Sequence, residues 1–168
     1  MSAPIECERK LLIRYPDLDR LLKESGVTVS EITQTYLTSV PAVTDRVRKR
    51  VFSDKTIYTR TQKIRITALS AEEYESEITK DAYDELLKNA DSSKKPVHKT
   101  RYVLPIGKFK AEIDIYPFWS KQAVLEVEME SEEDIFTLPD FIEVIRDVTA
   151  DKRYKNTNLA LSVPDEEV

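Results

Sequence analysis

Eight short blocks of the chain alternate apolar and polar residues with a period of two, which is the pattern of β-strands. The blocks are residues 5–13, 31–37, 44–52, 56–66, 72–78, 97–104, 109–116 and 122–130. Eight strands are enough to close into a barrel whose interior holds side chains or one small ligand. The alternation therefore favours an antiparallel eight-stranded closed β-barrel.

The polar face of seven of these blocks is charged, and each block after the first carries charges of one sign only. An ordinary solvated face mixes both signs with serine, threonine and amide side chains. The acidic residues on these faces are Glu6, Glu8, Glu73, Glu75, Glu112, Asp114, Glu126 and Glu128. The basic residues are Lys10, Arg46, Arg48, Lys63, Lys99 and Arg101. Segregation of sign by strand suggests a shared site.

Closing the barrel leaves two orientations for these faces, because one face of every strand must point inward. With the apolar faces inward, the charges would coat the outside of an ordinary core. With the charged faces inward, the interior would need water, ions or a ligand, since burying so many charges is otherwise prohibitive. In that orientation the surplus of carboxylates predicts divalent metal ions, and the cluster of arginines and lysines predicts a phosphate chain.

Helical patterns fall between and after the strands. Residues 16–25 begin with proline and stop at Gly26, and residues 79–90 precede a polar loop. The last third also has helical character, over residues 138–148 and again over 150–161. We therefore predict an α+β fold in one domain, residues 1–168, with flanking helices and a C-terminal plug helix.

Composition excludes several other functions. The chain has only two glycines, which rules out glycine-rich phosphate loops and dinucleotide fingerprints. A net charge of −5 without a basic patch argues against nucleic-acid binding. We expect neither a signal peptide in the first ten residues nor a membrane span, and the single cysteine, Cys7, fits a cytoplasmic protein.

The charged motifs resemble those of a known family. Glu6-Cys7-Glu8-Arg9-Lys10 is similar to the ExExK motif of the CYTH superfamily, also called triphosphate tunnel metalloenzymes. The other charged pairs follow in the order found in that family, and the region around residues 147–156 resembles its small, single-domain bacterial members. One departure is Ala71, at a position where family members often carry an arginine. Arg65 or Arg50 is a candidate to replace it.

The resemblance implies roles for the charged residues. Six cations, together with Lys152 on the plug helix, would bind a linear triphosphate: Lys10, Arg46, Arg48, Lys63, Lys99 and Arg101. Glu6, Glu8, Glu126 and Glu128 would hold Mg²⁺ or Mn²⁺ and, with Lys10, form the catalytic group. The supporting acids, which would orient cations or a water, are Glu73, Glu75, Glu112 and Asp114. An exposed helical lysine is an equally good interpretation of Lys152.

The function expected from this resemblance is divalent-metal-dependent hydrolysis of a triphosphate, with inorganic tripolyphosphate as the first substrate. A class IV adenylate cyclase, which forms cyclic AMP and pyrophosphate from ATP, is the main alternative. Thiamine triphosphate and RNA 5′-triphosphate remain open as substrates, and a non-catalytic polyphosphate- or nucleotide-binding module remains open as another class. The sequence also leaves open whether the chain forms a homodimer.

Overall fold

The computed structural model describes residues 5–168. The expectation that the first ten residues contain no signal peptide therefore lies partly outside the described residues. Nine β-strands, three short α-helices and two 3₁₀ turns account for the regular structure of the described part. The first eight strands are β1 (Ile5–Arg14), β2 (Thr28–Tyr36), β3 (Val43–Val51), β4 (Thr56–Arg65), β5 (Ser70–Ile78), β6 (Val97–Ile106), β7 (Phe109–Ile115) and β8 (Gln122–Met129). Each of them overlaps one of the eight alternating blocks.

These eight strands form a closed antiparallel barrel. They lie in the order β5-β4-β3-β2-β6-β7-β8-β1, and β1 pairs with β5 to complete the circle. The closing pairs join Ile5, Glu6 and Cys7 of β1 to Glu72, Ala71 and Ser70 of β5. The predicted eight-stranded barrel is confirmed.

The ninth strand, β9 (Val144–Asp147), lies where we predicted a helix over residues 138–148, and that prediction is wrong. After Cys7, β1 no longer pairs with β5, so one of its edges becomes free. β9 occupies this edge opposite Leu11–Ile13. Backbone N–H and C=O groups left without partners are costly, and this demand outweighs the helical pattern of the segment.

The charged faces of the strands point into the barrel, and much of the apolar core therefore lies outside it. Outward residues of β1, β6, β7 and β8, among them Leu11, Ile113 and Leu125, form a cluster with almost no exposed surface. Phe136 and Phe141 from the loop after β8 pack over this cluster, as does Leu21 of the first helix. The barrel wall thus has its apolar side covered by the connecting segments.

The helices are short and have clear boundaries. In α1 (Leu18–Leu22) the Asp17 side chain accepts a hydrogen bond from the Arg20 N–H at 3.1 Å, and Thr79 caps α2 (Lys80–Leu86) in the same way. A 3₁₀ turn, Leu87–Asn89, follows α2. No helix formed by residues 5–168 has both the length and the apolar character needed to cross a membrane.

One end of the barrel is closed by apolar side chains. Towards this end the inward rows of four strands change from charged residues to Leu12, Val97, Tyr116 and Val124. The segment after β9 packs into the same cluster through its own buried side chains, Tyr154, Leu159 and Ala160. The predicted helix over residues 150–161 is much shorter, since it consists of a 3₁₀ turn (Lys152–Tyr154) and α3 (Asn156–Leu159). The plug is therefore built jointly by strands and this segment.

Candidate active site

The strand order sorts the charged residues into two halves of the barrel. The strands β7, β8, β1 and β5 are consecutive neighbours, and their inward rows carry all eight of the predicted acids. The strands β4, β3, β2 and β6 complete the circle, and they carry every predicted strand cation except Lys10. We call these groups of strands the acidic half and the basic half.

A cavity of about 710 Å³ lies between the two halves. Most of the residues predicted for the site line it: Glu6, Glu8, Lys10, Arg46, Arg48, Lys63, Glu73, Glu75, Arg101, Glu112, Glu126, Glu128 and Lys152. Lys152 lies on the segment after β9, where it is exposed to solvent and lines the cavity. The inward orientation, which the alternation alone left open, is thus the one that the chain adopts.

Lys99 and Asp114 are exceptions, because they lie beneath the lining of the cavity. The Lys99 Nζ is 2.7 Å from the Asp114 Oδ2, and the two side chains are 0% and 1% exposed. Burial lowers the pKa of Lys99 to about 7, with Arg101 and Arg48 adding to the effect and Asp114 opposing it. The Lys99 ammonium is thus enclosed by protein, and a direct contact of Lys99 with phosphate stays a prediction.

Ion pairs join the two halves where β6 meets β7. The Arg101 Nε and Nη2 donate to the two carboxylate oxygens of Asp114 at 2.8 and 2.9 Å. A third donor, Nη1, reaches the Glu112 Oε2 at 2.8 Å. Burial opposes ionisation of Asp114, but Arg101 and Lys99 outweigh it and lower the pKa of this carboxyl to about 2. The guanidinium of Arg101 is therefore fixed in place by carboxylates.

Two lysines make corresponding pairs within the acidic half and at its border with β4. The Lys63 Nζ lies 2.8 Å from the Glu6 Oε2, and the Lys10 Nζ lies 3.0 Å from the Glu126 Oε1. Burial opposes the charge of Glu126, yet Lys10 and other nearby cations hold the pKa of its carboxyl well below the ordinary value. Glu126 is therefore ionised and committed to Lys10.

The remaining acids crowd one another. Burial, followed by repulsion from Glu126, raises the pKa of Glu8 to about 8. Burial and the neighbouring carboxylates, Glu112 first among them, raise the pKa of Glu128 to about 7. The two residues lie directly opposite each other in the β1–β8 ladder. A cation placed among these carboxylates would relieve the repulsion that raises both pKa values.

The donor atoms of the acidic half fit a hard divalent ion. One carboxylate oxygen from each of Glu6, Glu73 and Glu128 lies within 4.8 Å of the other two. Carboxylate oxygens are the ligands that Mg²⁺ and Mn²⁺ prefer. The cluster includes Glu73, which we predicted only as a supporting acid, and it joins two of the four predicted metal ligands.

The basic half contains guanidinium groups with free donors. The Nε atoms of Arg46 and Arg48 and the Nη1 of Arg65 are buried without a hydrogen-bond partner among the described residues. The Arg48 Nη2 donates to the buried Gln34 side chain at 3.1 Å. Burial, with repulsion from Arg46 and Arg101, lowers the pKa of Arg48 to about 9. This half therefore combines unused hydrogen-bond donors with positive charges that repel one another.

Sequence reasoning did not assign site roles to several residues that line the cavity, namely Tyr36, Lys155 and Asn156. Tyr36 follows Gln34 by two residues on β2 and so shares its inward face, which is a usable signal. Lys155 and Asn156 lie in an irregular segment, where no periodicity indicates direction. Arg65 and Arg50, the two candidates to replace the arginine absent at Ala71, both line the cavity, and Arg65 is directly opposite Ala71 in the β4–β5 ladder.

The closed barrel with sorted charges defines the class of protein. The sequence matches the model of the CYTH domain over residues 4–161, and the chain belongs to this family. The resemblance noted in the charged motifs is therefore confirmed.

Particular relatives are similar over most of the chain. An inorganic triphosphatase of Nitrosomonas europaea is 35% identical over 165 residues, which cover 95% of this chain and 99% of the relative. An inorganic triphosphatase of Acetivibrio thermocellus is 37% identical over 114 residues, covering 67% of this chain and 70% of the relative. A crystal structure of an inorganic triphosphatase superposes with a TM-score of 0.57 at 30% identity and covers 95% of this chain and 97% of its own.

Proposed function

We propose that this chain is a divalent-metal-dependent hydrolase that converts inorganic tripolyphosphate to pyrophosphate and phosphate inside the barrel. The observation that carries the proposal is the division of the cavity wall into an acidic and a basic half. A metal-bound polyphosphate needs both kinds of wall at once. The names of the two relatives, both inorganic triphosphatases, support the same activity.

The basic half binds the phosphate chain in this proposal. Arg46, Arg48 and Arg65 supply donors that find no acceptor in the described part of the chain, and arginine can form paired hydrogen bonds to phosphate oxygens. Lys152 extends this surface from the segment that closes the barrel. Arg101 keeps its two carboxylate partners and donates to the substrate with its remaining N–H groups.

The acidic half holds the metal in this proposal. Glu6, Glu73 and Glu128 are the ligand candidates, with the neighbouring Glu8 available when it is ionised. A bound Mg²⁺ or Mn²⁺ would neutralise charge on the phosphates and lower the pKa of a coordinated water. The family of triphosphate tunnel metalloenzymes supports a divalent metal, and the choice between Mg²⁺ and Mn²⁺ stays a prediction.

Lys10 is the catalytic cation of the proposal. Burial opposes its charge, but Glu126 and Glu8 raise the pKa of its ammonium above the ordinary value. Two of its three N–H groups are directed at Glu126 and at the Tyr154 carbonyl. The third is available to a phosphate oxygen, where it can neutralise charge that develops on the leaving phosphate. The burial of Lys10 strengthens this interaction.

An assay of four substrates tests the proposal. Purified protein is incubated with Mg²⁺ or Mn²⁺ and tripolyphosphate, ATP, thiamine triphosphate or an RNA 5′-triphosphate, and phosphate, pyrophosphate and cyclic AMP are measured. We expect phosphate and pyrophosphate in equal amounts from tripolyphosphate, with no turnover in EDTA. Cyclic AMP from ATP would identify a cyclase instead, and binding without turnover of any substrate would identify a binding module.

We also propose that the protein works in the cytoplasm. Cys7, the single cysteine, is buried and free, and it packs against Ser70 with its Sγ 3.2 Å from the serine Oγ. A free thiol is compatible with a reducing compartment. Fractionation of cells that express the tagged protein would test this assignment.

A further inference from the structure

The segment that completes the cavity is held in place by the residues that follow it. Residues 152–160 contribute Lys152, Lys155 and Asn156 to the cavity lining. Residues 162–168, which we call the strap, form no helix or strand and lie against the surface near β8. Two adjacent glutamates, Glu166 and Glu167, make side-chain contacts of different kinds in this strap.

Glu167 is bonded on three sides. Its carboxylate accepts hydrogen bonds from the Arg146 Nε and Nη2 at 2.8 and 2.9 Å. It also accepts one from the Tyr154 hydroxyl. Its backbone N–H donates to the side chain of the fully buried Gln122 at 2.7 Å. Arg146 and Tyr154 fix the carboxylate in one position, where it holds the ring of Tyr154, and Gln122 anchors the backbone beside it.

Tyr154 connects this contact to the cavity. The residue is 0% exposed, and its ring packs against Trp119 with a centroid distance of 5.9 Å. Its carbonyl oxygen accepts a hydrogen bond from the Lys10 Nζ at 3.1 Å. A shift of the Tyr154 ring would therefore move a direct partner of Lys10.

We propose that Glu167 is a positioning residue that acts through Tyr154 on the ammonium of Lys10. The kinetic part of this inference rests on the proposed function, in which Lys10 contacts the phosphate chain. The Lys10 Nζ has three N–H groups in tetrahedral directions, and two of them are fixed by Glu126 and the Tyr154 carbonyl. The direction of the third therefore depends on where Tyr154 is held.

Glu166 provides the matched control. It has the same charge and lies next to Glu167, but its Oε1 accepts hydrogen bonds from the backbone N–H groups of Ser120 and Lys121, the latter at 2.8 Å. Neither contact involves the Tyr154 side chain or a residue that lines the cavity. Removal of Glu166 therefore loosens the strap without releasing the Tyr154 hydroxyl.

The kinetic experiment compares Glu167→Ala, Tyr154→Phe, their combination and Glu166→Ala in tripolyphosphate hydrolysis. We expect kcat to fall about tenfold in each of the first two variants with KM within about twofold, because the other cations still bind the substrate. The double variant should lose no more than either single variant, as required if Glu167 acts through the hydroxyl. Glu166→Ala should keep the kcat of the unaltered protein.

Amide hydrogen exchange supplies a readout that does not depend on activity. Glu167→Ala and Tyr154→Phe should speed exchange in residues 152–160, and Glu166→Ala should not. Equal losses of kcat in Glu166→Ala and Glu167→Ala, additive losses in the double variant, or unchanged exchange in residues 152–160 would each overturn the inference. If the unaltered protein does not hydrolyse tripolyphosphate, the proposed function fails, and the exchange result alone decides whether Glu167 holds the segment.

Discussion

The acidic and basic halves of the barrel are both electrostatically unbalanced, but in opposite directions. In the acidic half, crowding raises the pKa of Glu8 and Glu128 to about 8 and about 7. In the basic half, burial and mutual repulsion lower the pKa of Arg48 to about 9. Opposite charges pair at the contacts between the halves, where Arg101 pairs with Asp114 and Lys63 with Glu6.

Charged residues at the border between the halves are paired within the protein, whereas some charged residues inside each half are not. Arg101 and Asp114 satisfy each other within the protein, so removing either one leaves a buried charge alone. Arg48 forms no ion pair with a carboxylate among residues 5–168, and Arg46 and Arg101 repel it, so its removal relieves repulsion. The same kind of residue thus stabilises the fold at the border between the halves and destabilises it in the middle of one half.

The largest effect should come from the acidic half. Glu6→Gln removes a negatively charged ligand from the carboxylate cluster, and we expect metal-dependent turnover of tripolyphosphate to fall about a thousandfold. Glu72→Gln, on the outward face of β5 beside Glu73, is the control and should keep its activity. Circular dichroism should show an unchanged fold in both. Undiminished turnover in Glu6→Gln would contradict the assignment of this half to metal binding.

The next effect concerns the border between the halves. Arg101→Gln leaves Asp114 and Glu112 without their guanidinium partner, and we expect the free energy of unfolding to fall by about 3 kcal/mol. Urea denaturation measures this loss. A variant as stable as the unaltered protein would show that the border pairs do not hold the barrel together.

Arg48→Gln tests a charge inside the basic half, in contrast to Arg101 at the border. Removing an unpaired buried charge should leave the free energy of unfolding unchanged or raise it by about 1 kcal/mol. The kcat/KM for tripolyphosphate should fall about thirtyfold, because a donor to phosphate is lost. The two measurements must therefore move in different directions. A loss of stability as large as that of Arg101→Gln would show that Arg48 stabilises the fold as much as the border pairs do.

The smallest effect is the pH dependence of the metal-free protein. The folded-state pKa values of Glu8 and Glu128 are raised above 4.5, so the folded state binds more protons than the unfolded state between about pH 4.5 and pH 8. Stability from these groups is therefore present at low pH and is lost as the pH rises through this window. Lys99 opposes the trend only above its lowered pKa of about 7.

Calorimetry in EDTA should show this dependence as a melting temperature about 3 °C higher at pH 5.5 than at pH 7. Added Mg²⁺ should reverse the order, because the metal binds the ionised carboxylates and stabilises the protein more at the higher pH. The Glu8→Gln variant, which removes one of the titrating groups, should show a weaker dependence in EDTA. A melting temperature that rises from pH 5.5 to pH 7 without metal would refute the picture of a crowded acidic half.

The strands and the sign of each charged face were predictable because both are local. A period of two needs only consecutive residues, and it located β1 to β8 correctly. The division into halves was not predictable from the residues alone, since β1 is adjacent to β5 and β8 only after the barrel closes. The same closure determines that Lys99 lies against Asp114, under the cavity lining rather than at its surface.

The errors lie in the last third of the chain. Residues 144–147 were predicted as helix, but the unpaired edge of β1 beyond Cys7 takes them as a strand. This pairing with β1 involves a distant part of the chain, so the local sequence pattern does not indicate it. The position of Glu73 beside Glu6 and Glu128 was not predictable for the same reason, since it depends on strand pairings between distant parts of the chain. A role of Glu73 as a metal ligand stays a prediction.

The apolar end of the barrel limits the length of the phosphate chain that the cavity can hold. Leu12, Val97, Tyr116 and Val124 offer nothing to replace the hydration of a phosphate, so a polyanion that advances along the barrel must halt before it reaches them. The depth of the charged section then measures how many phosphoryl units fit. A preference for a short polyphosphate over a long one can thus arise from these apolar side chains, although they do not bind the substrate.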